Sequence, residues 1–250
     1  MKKYILTLIL ALASLGLYAQ TNRNKTIINA ALHGWEYEIK AGVNLGGTAP
    51  LPFPEEIRSI DGYNPTLSIT IEGNMTKWLD TKKKWGIITG LRLENKGMRT
   101  KATVKNYNME IIGYDGNRLK GNWTGGVRTK VQNSYITIPV LAAYKLSPRT
   151  TLKLGPYFSY LMDGDFSGHV YEGYLRETNP TGDKINFTNG AIATYDFSGD
   201  LRKFQWGVQA GVDWKAFKHL KVHADLNWGL NDIFNKDFKT VTFDMYAIYV

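Results

Sequence analysis

Phe204-Gln205-Trp206-Gly207-Val208-Gln209-Ala210-Gly211-Val212-Asp213-Trp214 separates into two rows. The even positions are Phe, Trp, Val or Ala, and the odd positions are Gln, Gly or Asp. The next stretch repeats the arrangement, with Leu220, Val222, Ala224, Leu226 and Trp228 set against Lys221, His223, Asp225 and Asn227. Successive side chains of a strand point to opposite faces. Alternation over about ten residues, with aromatics ending the apolar row, suits a strand that faces lipid on one side and a polar lumen on the other.

The same test gives strands at Trp35–Leu45, Thr66–Lys77, Trp85–Glu94, Ser134–Leu146 and Thr151–Met162, and a last one from Val241 to Val250. Ser134–Leu146 is apolar on both faces, and Pro139 within it predicts a bulge or break because it lacks a ladder donor. The connections alternate: Trp78–Lys84, Ser147–Thr150 and Ala216–His219 are brief, whereas those after the first, third and fifth strands are long. Short turns on one side and long loops on the other mark an outer-membrane barrel. The expected fold is therefore all-β: an eight-stranded antiparallel transmembrane up-and-down β-barrel with long extracellular loops and short periplasmic turns. The chain reaches Val250 still in strand, without the terminal aromatic common in such barrels, so the last strand is either unusual or cut within its length.

An eight-stranded barrel has an interior just wide enough to be filled by side chains. Glu36, Glu38, Lys40, Glu72, Arg92, Glu94, Lys153, Asp213, Lys221, His223 and Asp225 are expected to fill it as a polar network with no solute channel. Trp35, Trp78, Trp85, Phe204, Trp214 and Trp228, at strand ends, are expected to form aromatic girdles at headgroup level.

Lys2 and Lys3, the apolar run Ile5–Leu17 and Ala19 read as a secretory signal peptide over 1–19, too short to span a bilayer. Residues 20–33 then form a periplasmic segment and 34–250 the barrel. The chain has no cysteine, hence no disulfide framework. Net charge is +9, of which Lys2 and Lys3 contribute +2, leaving +7 on the exported part. In an exported chain without a basic helix this points away from nucleic acid and toward solubility or lipid phosphates. Between Arg99 and Lys130 the balance is +5, and between Asp163 and Arg202 it is −4. The first loop is expected to meet outer-membrane lipids and lipopolysaccharide, or the two loops to bind each other. Tyr171, Tyr174, Phe187, Tyr195 and Phe197 point to short strands extending the wall, or to a docked protein partner.

Of the four histidines, His33, His169, His219 and His223, only His219 and His223 approach ligand spacing, and in a strand–turn context they would not converge on one ion, so no metal and no cofactor is expected. Asp163-Gly164-Asp165-Phe166-Ser167-Gly168-His169 holds a hydroxyl, an imidazole and carboxylates, but reads as readily as a polar turn-rich loop. The chain is expected not to be an enzyme.

Several segments also resemble one family in order and spacing: Lys40-Ala41-Gly42-Val43-Asn44-Leu45-Gly46-Gly47, Leu93-Glu94-Asn95-Lys96-Gly97, Tyr135-Ile136-Thr137-Ile138-Pro139-Val140-Leu141, Leu154-Gly155-Pro156-Tyr157-Phe158-Ser159-Tyr160-Leu161 and Trp228-Gly229-Leu230-Asn231-Asp232-Ile233. The chain resembles the PorT-like outer-membrane β-barrel proteins over about residues 35–250. The resemblance implies an eight-stranded barrel in the cell outer membrane and, for some members, a part in type IX protein secretion; it carries over no catalytic residues. The function expected is structural or partner-docking. The alternatives are a rim-located outer-membrane lipid hydrolase and a soluble periplasmic barrel binding a small apolar ligand, which would invert the faces.

Overall fold

The computed structural model describes residues 33–113, 116–235 and 244–250. They form one antiparallel sheet: β1 (Trp35–Asn44), β2 (Gly46–Pro50), β3 (Ile57–Pro65), β4 (Ser68–Trp78), β5 (Trp85–Ile112), β6 (Arg118–Lys145), β7 (Thr150–Glu177), β8 (Lys184–Asp196), β9 (Phe204–Phe217), β10 (Leu220–Gly229) and β11 (Met245–Tyr249). A single 3-10 turn at Ser198–Asp200 is the only helical piece among the described residues. The signal segment, residues 20–32 and the start of the last expected strand at 241–243 lie outside the described residues.

The order is β1-β4-β5-β6-β7-β9-β10-β11-β2, with β3 on β5 and β8 on β7. The two ends of that order are neighbours in the chain, parted only by Leu45. Leu45 and Val250 exchange both backbone hydrogen bonds at 2.7 Å. β11 is short: it pairs with β2 from Met245 to Tyr249 but with β10 only at Asn227 and Trp228.

Eleven strands replace the eight expected, because the segments expected as long external loops are themselves strands. β5, β6 and β7 each run for 28 residues, far past the lipid-facing stretches that revealed them. The ends of β5 and β6 are tied together by the Gly113 amide, which donates to the Asn117 carbonyl at 2.9 Å. Beyond them β8 folds back so that Thr194 pairs with Ile112 of β5. At Pro139 the structure shows the expected break and not a bulge. The β5–β6 ladder skips Ile138 and Pro139 and resumes in the same register, Thr89–Val140 and Arg92–Thr137. The register shifts fall instead between Ser134 and Tyr135 and between Gly125 and Gly126, facing β7.

The interior is layered. Trp78, Ile88, Leu141 and Ala143 make a small apolar cluster at the short-turn end. A layer of buried ions and amides follows. Above it a larger apolar core, including Met98, Val127, Val131, Phe166 and Tyr195, continues into the β5–β8 extension around Met109, Trp123 and Leu175.

Candidate functional site in the ionic interior and on the basic outer face

The even positions of β5 and the odd positions of β9 point inward and meet in the middle layer. Lys153 bridges Asp213 and Asp225, each at 2.7 Å, and Lys40 reaches Asp213 at 3.2 Å. Arg92 pairs with Glu72 and also donates to Gln209 Oε1 at 2.8 Å and Asn227 Oδ1 at 3.3 Å. Glu94 accepts from Thr137 at 2.7 Å and lies 3.1 Å from Lys96. Four cations (Lys40, Arg92, Lys96, Lys153) thus face four carboxylates (Glu72, Glu94, Asp213, Asp225). Buried charges are tolerable only when paired and hydrogen-bonded in this way. Gln209 and Thr137 lie fully buried among them. Nearer the turns, half-buried Lys221 reaches Glu36 at 2.7 Å and Glu38 at 3.2 Å. His223 also faces inward, against Gly42, where any Cβ would come within 3.2 Å of its Nε2.

Lys96 is a member the sequence reading left out, although its parity continues Arg92 and Glu94. Its Nζ sits 5.2 Å from the ring centres of Tyr135 and Tyr157 and 5.7 Å from that of Tyr249. This tyrosine cage is the boundary between the ionic layer and the apolar core above it, and cation–π attraction suits a desolvated ammonium.

On the outer face Phe204, Trp85, Trp214 and Trp228 are about half exposed, as are Phe158 and Tyr160 near Phe204. Trp35 is half-buried under Lys77, whose Nζ lies 5.0 Å from its ring centre. Trp78 departs from the expected girdle. It points inward at 6 % exposure, and its indole N–H donates to Glu36 Oε2 at 3.1 Å. Its parity in β4 is that of Glu72, Asn74 and Thr76, and parity prevails over a place at the strand end.

Past Leu91 and Leu93 the same outward row of β5 carries Arg99 and Lys101. Their cross-strand partners are Lys130 and Arg128 on β6. These in turn oppose Ser167 and His169 on β7. The result is a basic ladder across three strands, bordering an open groove of about 820 Å³ with β3 and β8. Lys130 pairs with Asp165 at 2.6 Å. Arg128 and Lys101 lie over the Tyr171 ring, at 5.2 and 5.6 Å. No carboxylate pairs with Arg99, Lys101 or Arg128 among the described residues. Partial burial and the nearby Arg128 charge hold the His169 imidazole below its ordinary pKa. Against the upward push of burial, hydrogen bonds from Lys130 and Ser167 hold the Asp165 carboxyl below its usual range.

Ser167 donates its hydroxyl to Asp165 at 2.6 Å, while the His169 ring packs 6.1 Å from that of Tyr171. No hydrogen bond joins Ser167 to His169 among the described residues. The expected opposition of a basic and an acidic loop becomes the outer face of one sheet, and Phe187 and Tyr195 of the acidic segment lie in its core.

A family model described as the outer membrane protein beta-barrel domain matches residues 18–235. No curated protein matches the chain.

Proposed function

The chain belongs to the family of outer membrane protein beta-barrel domains, and on that premise we propose that it is a closed, non-conducting barrel whose outer half docks phosphorylated glycolipid. In this reading the eleven strands group into eight staves. β1 with β2 makes one and β3 with β4 another, β8 is a flap on β7, and the β2–β11 pairing closes the ring. Closure satisfies backbone groups that hydrocarbon would leave unpaired. The buried, paired ions of the middle layer support a structural and docking role over solute passage. The reading includes export through a cleaved signal peptide over residues 1–19 and no catalytic step. Any part in type IX secretion rests on the PorT-like resemblance of the segments quoted above, with the β5–β8 extension as the surface for a protein partner.

The observation that carries the proposal is the reversal of face chemistry along β5 and β6. Leu91, Leu93, Ile138 and Val140 are exposed at one height, and Arg99, Lys101, Arg128 and Lys130 occupy the same row farther out. A soluble barrel would leave Ile39 (86 % exposed), Leu67 (75 %) and the other outward apolar residues in water, a patch far beyond what monomeric proteins show. Basic residues beyond the apolar band suit the phosphates of a surface glycolipid, each cation contributing about 1 kcal/mol. The test compares the full chain with the variant Arg99→Gln/Lys101→Gln/Arg128→Gln for binding to vesicles carrying phosphorylated glycolipid, its dephosphorylated form, or neither. We expect wild-type preference for the phosphorylated form and roughly hundredfold weaker binding by the variant. Equal binding to all three vesicles would remove the glycolipid role. Failure of the unheated chain to migrate differently from the boiled chain on a gel would remove the barrel.

A further inference from the structure

Behind β2, in the outer half of the interior, lies a cavity of about 350 Å³ that the reading above does not use. Its walls include Met98, Ala102 and Val104 of β5, Val127 of β6, Phe166 and Tyr195. Among the described residues no charged side chain lines it. Two of its hydroxyls are engaged with the protein: Tyr195 Oη bonds Thr129 Oγ1 at 2.6 Å and donates to the Arg128 carbonyl at 3.0 Å. The size is that of a small-molecule site, and the lining asks for an uncharged, apolar occupant.

The wall beside the cavity is incomplete. β1 pairs with β4 only as far as Asn44–Ser68, after which β2 pairs with β11 and β3 with β5. No backbone ladder joins β2 to β3 among the described residues. A single side-chain bond crosses the interval, from Tyr63 Oη to the Gly46 carbonyl at 2.6 Å. Phe53, Ile60 and Tyr63 stand at this slot, each about half exposed, and all three also line the cavity. Where β1 and β4 part, Leu45 (49 % exposed) and Leu67 (75 %) belong to the outward apolar band. The lower end of the slot, at Leu45 and Leu67, thus meets the edge of the hydrocarbon-facing surface, and its upper part, at Tyr63 and Ile60, opens into the cavity.

We infer that the cavity takes an acyl chain, entering sideways between β2 and β3. The chemistry is shared by two sources, the chain of an outer-leaflet lipid and a free fatty acid. Continuity with the apolar band supports the chain, and the enclosed uncharged lining keeps the polar end outside, at the slot. The inference rests on the outer-membrane reading only for the presence of lipid beside the slot.

The full chain, reconstituted in phosphatidylcholine nanodiscs, would be exposed to dodecanoic acid carrying a terminal diazirine and irradiated, and the labelled peptides mapped by mass spectrometry. A parallel sample would carry the diazirine on a phosphatidylcholine acyl chain. Labelling of cavity residues around Ala102, saturable and competed by unlabelled dodecanoic acid, is the expected result. Labelling from both probes assigns the site to membrane lipid chains, and labelling from the free acid alone assigns it to a diffusible ligand. Ala102→Trp should reduce cavity labelling at least tenfold while heat-modifiable migration is kept. If Ala102→Trp does not fold, Ile60→Glu at the exposed mouth carries the test: a several-fold loss supports the inference and unchanged labelling overturns it. Labelling confined to outward residues such as Leu91 and Leu93 would also overturn it. Because migration reports the barrel separately, a folded chain with an unlabelled cavity would sink only this inference.

Discussion

The two halves of β5 obey opposite rules. From Trp85 to Leu93 the outward row is apolar and the inward row ends in Arg92 and Glu94; from Arg99 onward the outward row is charged and the inward row is Thr100, Ala102 and Val104. The parity holds from Trp85 to Val104, so across this boundary the strand does not twist its faces round. What changes is the surroundings: hydrocarbon then water outside, ions then a conventional core inside. In the proposed reading the membrane boundary falls where the contrast reverses, between Leu93 and Arg99. Each half is stable only in its own solvent, and the Lys96 tyrosine cage lies where one interior gives way to the other.

The largest expected effect tests the ionic half. Lys153→Ala would leave Asp213 and Asp225 facing each other with Lys40 as the one remaining ion-pair partner among the described residues, and removing one partner of a buried pair costs about 3–5 kcal/mol. The same deletion outside, Lys130→Ala, breaks a pair whose side chains are 41 % and 36 % exposed and should cost about 0–1 kcal/mol. Urea titration of the refolded barrel, followed by heat-modifiable migration, measures both. If the two variants lose equal stability, the contrast between the halves is wrong.

The next effect tests the outer surface. Leu91→Arg places a charge in the apolar band, and a cation on a lipid-facing position costs about 2–4 kcal/mol at the midplane and less toward the interfaces. Thr103→Arg sits in the same row of the same strand beyond the proposed boundary, where exposed substitutions usually stay within about 0.5 kcal/mol. Refolding yield into lipid vesicles separates them. A penalty at Thr103 as large as that at Leu91 would move the boundary outward.

These contrasts also explain what the sequence could reveal. Phe204–Trp214 was legible because large apolar and polar residues alternate at full amplitude. Arg99–Ile112 alternates too, but small inward residues such as Thr100 and Ala102 opposite charges look like a polar loop, and the bulge between Val104 and Tyr107 breaks the period. Hence the local pattern predicts loops there and a strand count of eight. The fivefold pairing of β11 with β2, and the slot beside it, depend on long-range register that no local pattern encodes. Lys96 and the inward turn of Trp78 were available from parity alone. The ladder of Arg99, Lys101, Arg128 and Lys130 was visible only as net charge, because its spatial order needs the β5–β6 register.

The smallest effect concerns His169, at the edge of that ladder. It faces Arg128 of β6, Tyr171 and Ser167 of its own strand and Thr194 of β8, with Lys101 of β5 over the same Tyr171 ring. Its pKa is held below the ordinary histidine value by partial burial and by the Arg128 charge. The folded chain therefore prefers the neutral ring. Its contribution to stability is fully present above the ordinary value of about 6.5 and is lost as the pH falls through the range between the two pKa values. A bound phosphate reverses the local sign, because it favours the protonated ring. Binding to phosphorylated glycolipid vesicles should therefore strengthen by a few-fold on acidification below about pH 6.5, while the lipid-free chain loses a little stability over the same interval. His169→Gln should flatten both trends, and a binding profile that keeps its rise in this variant would assign the proton to another group on the outer face.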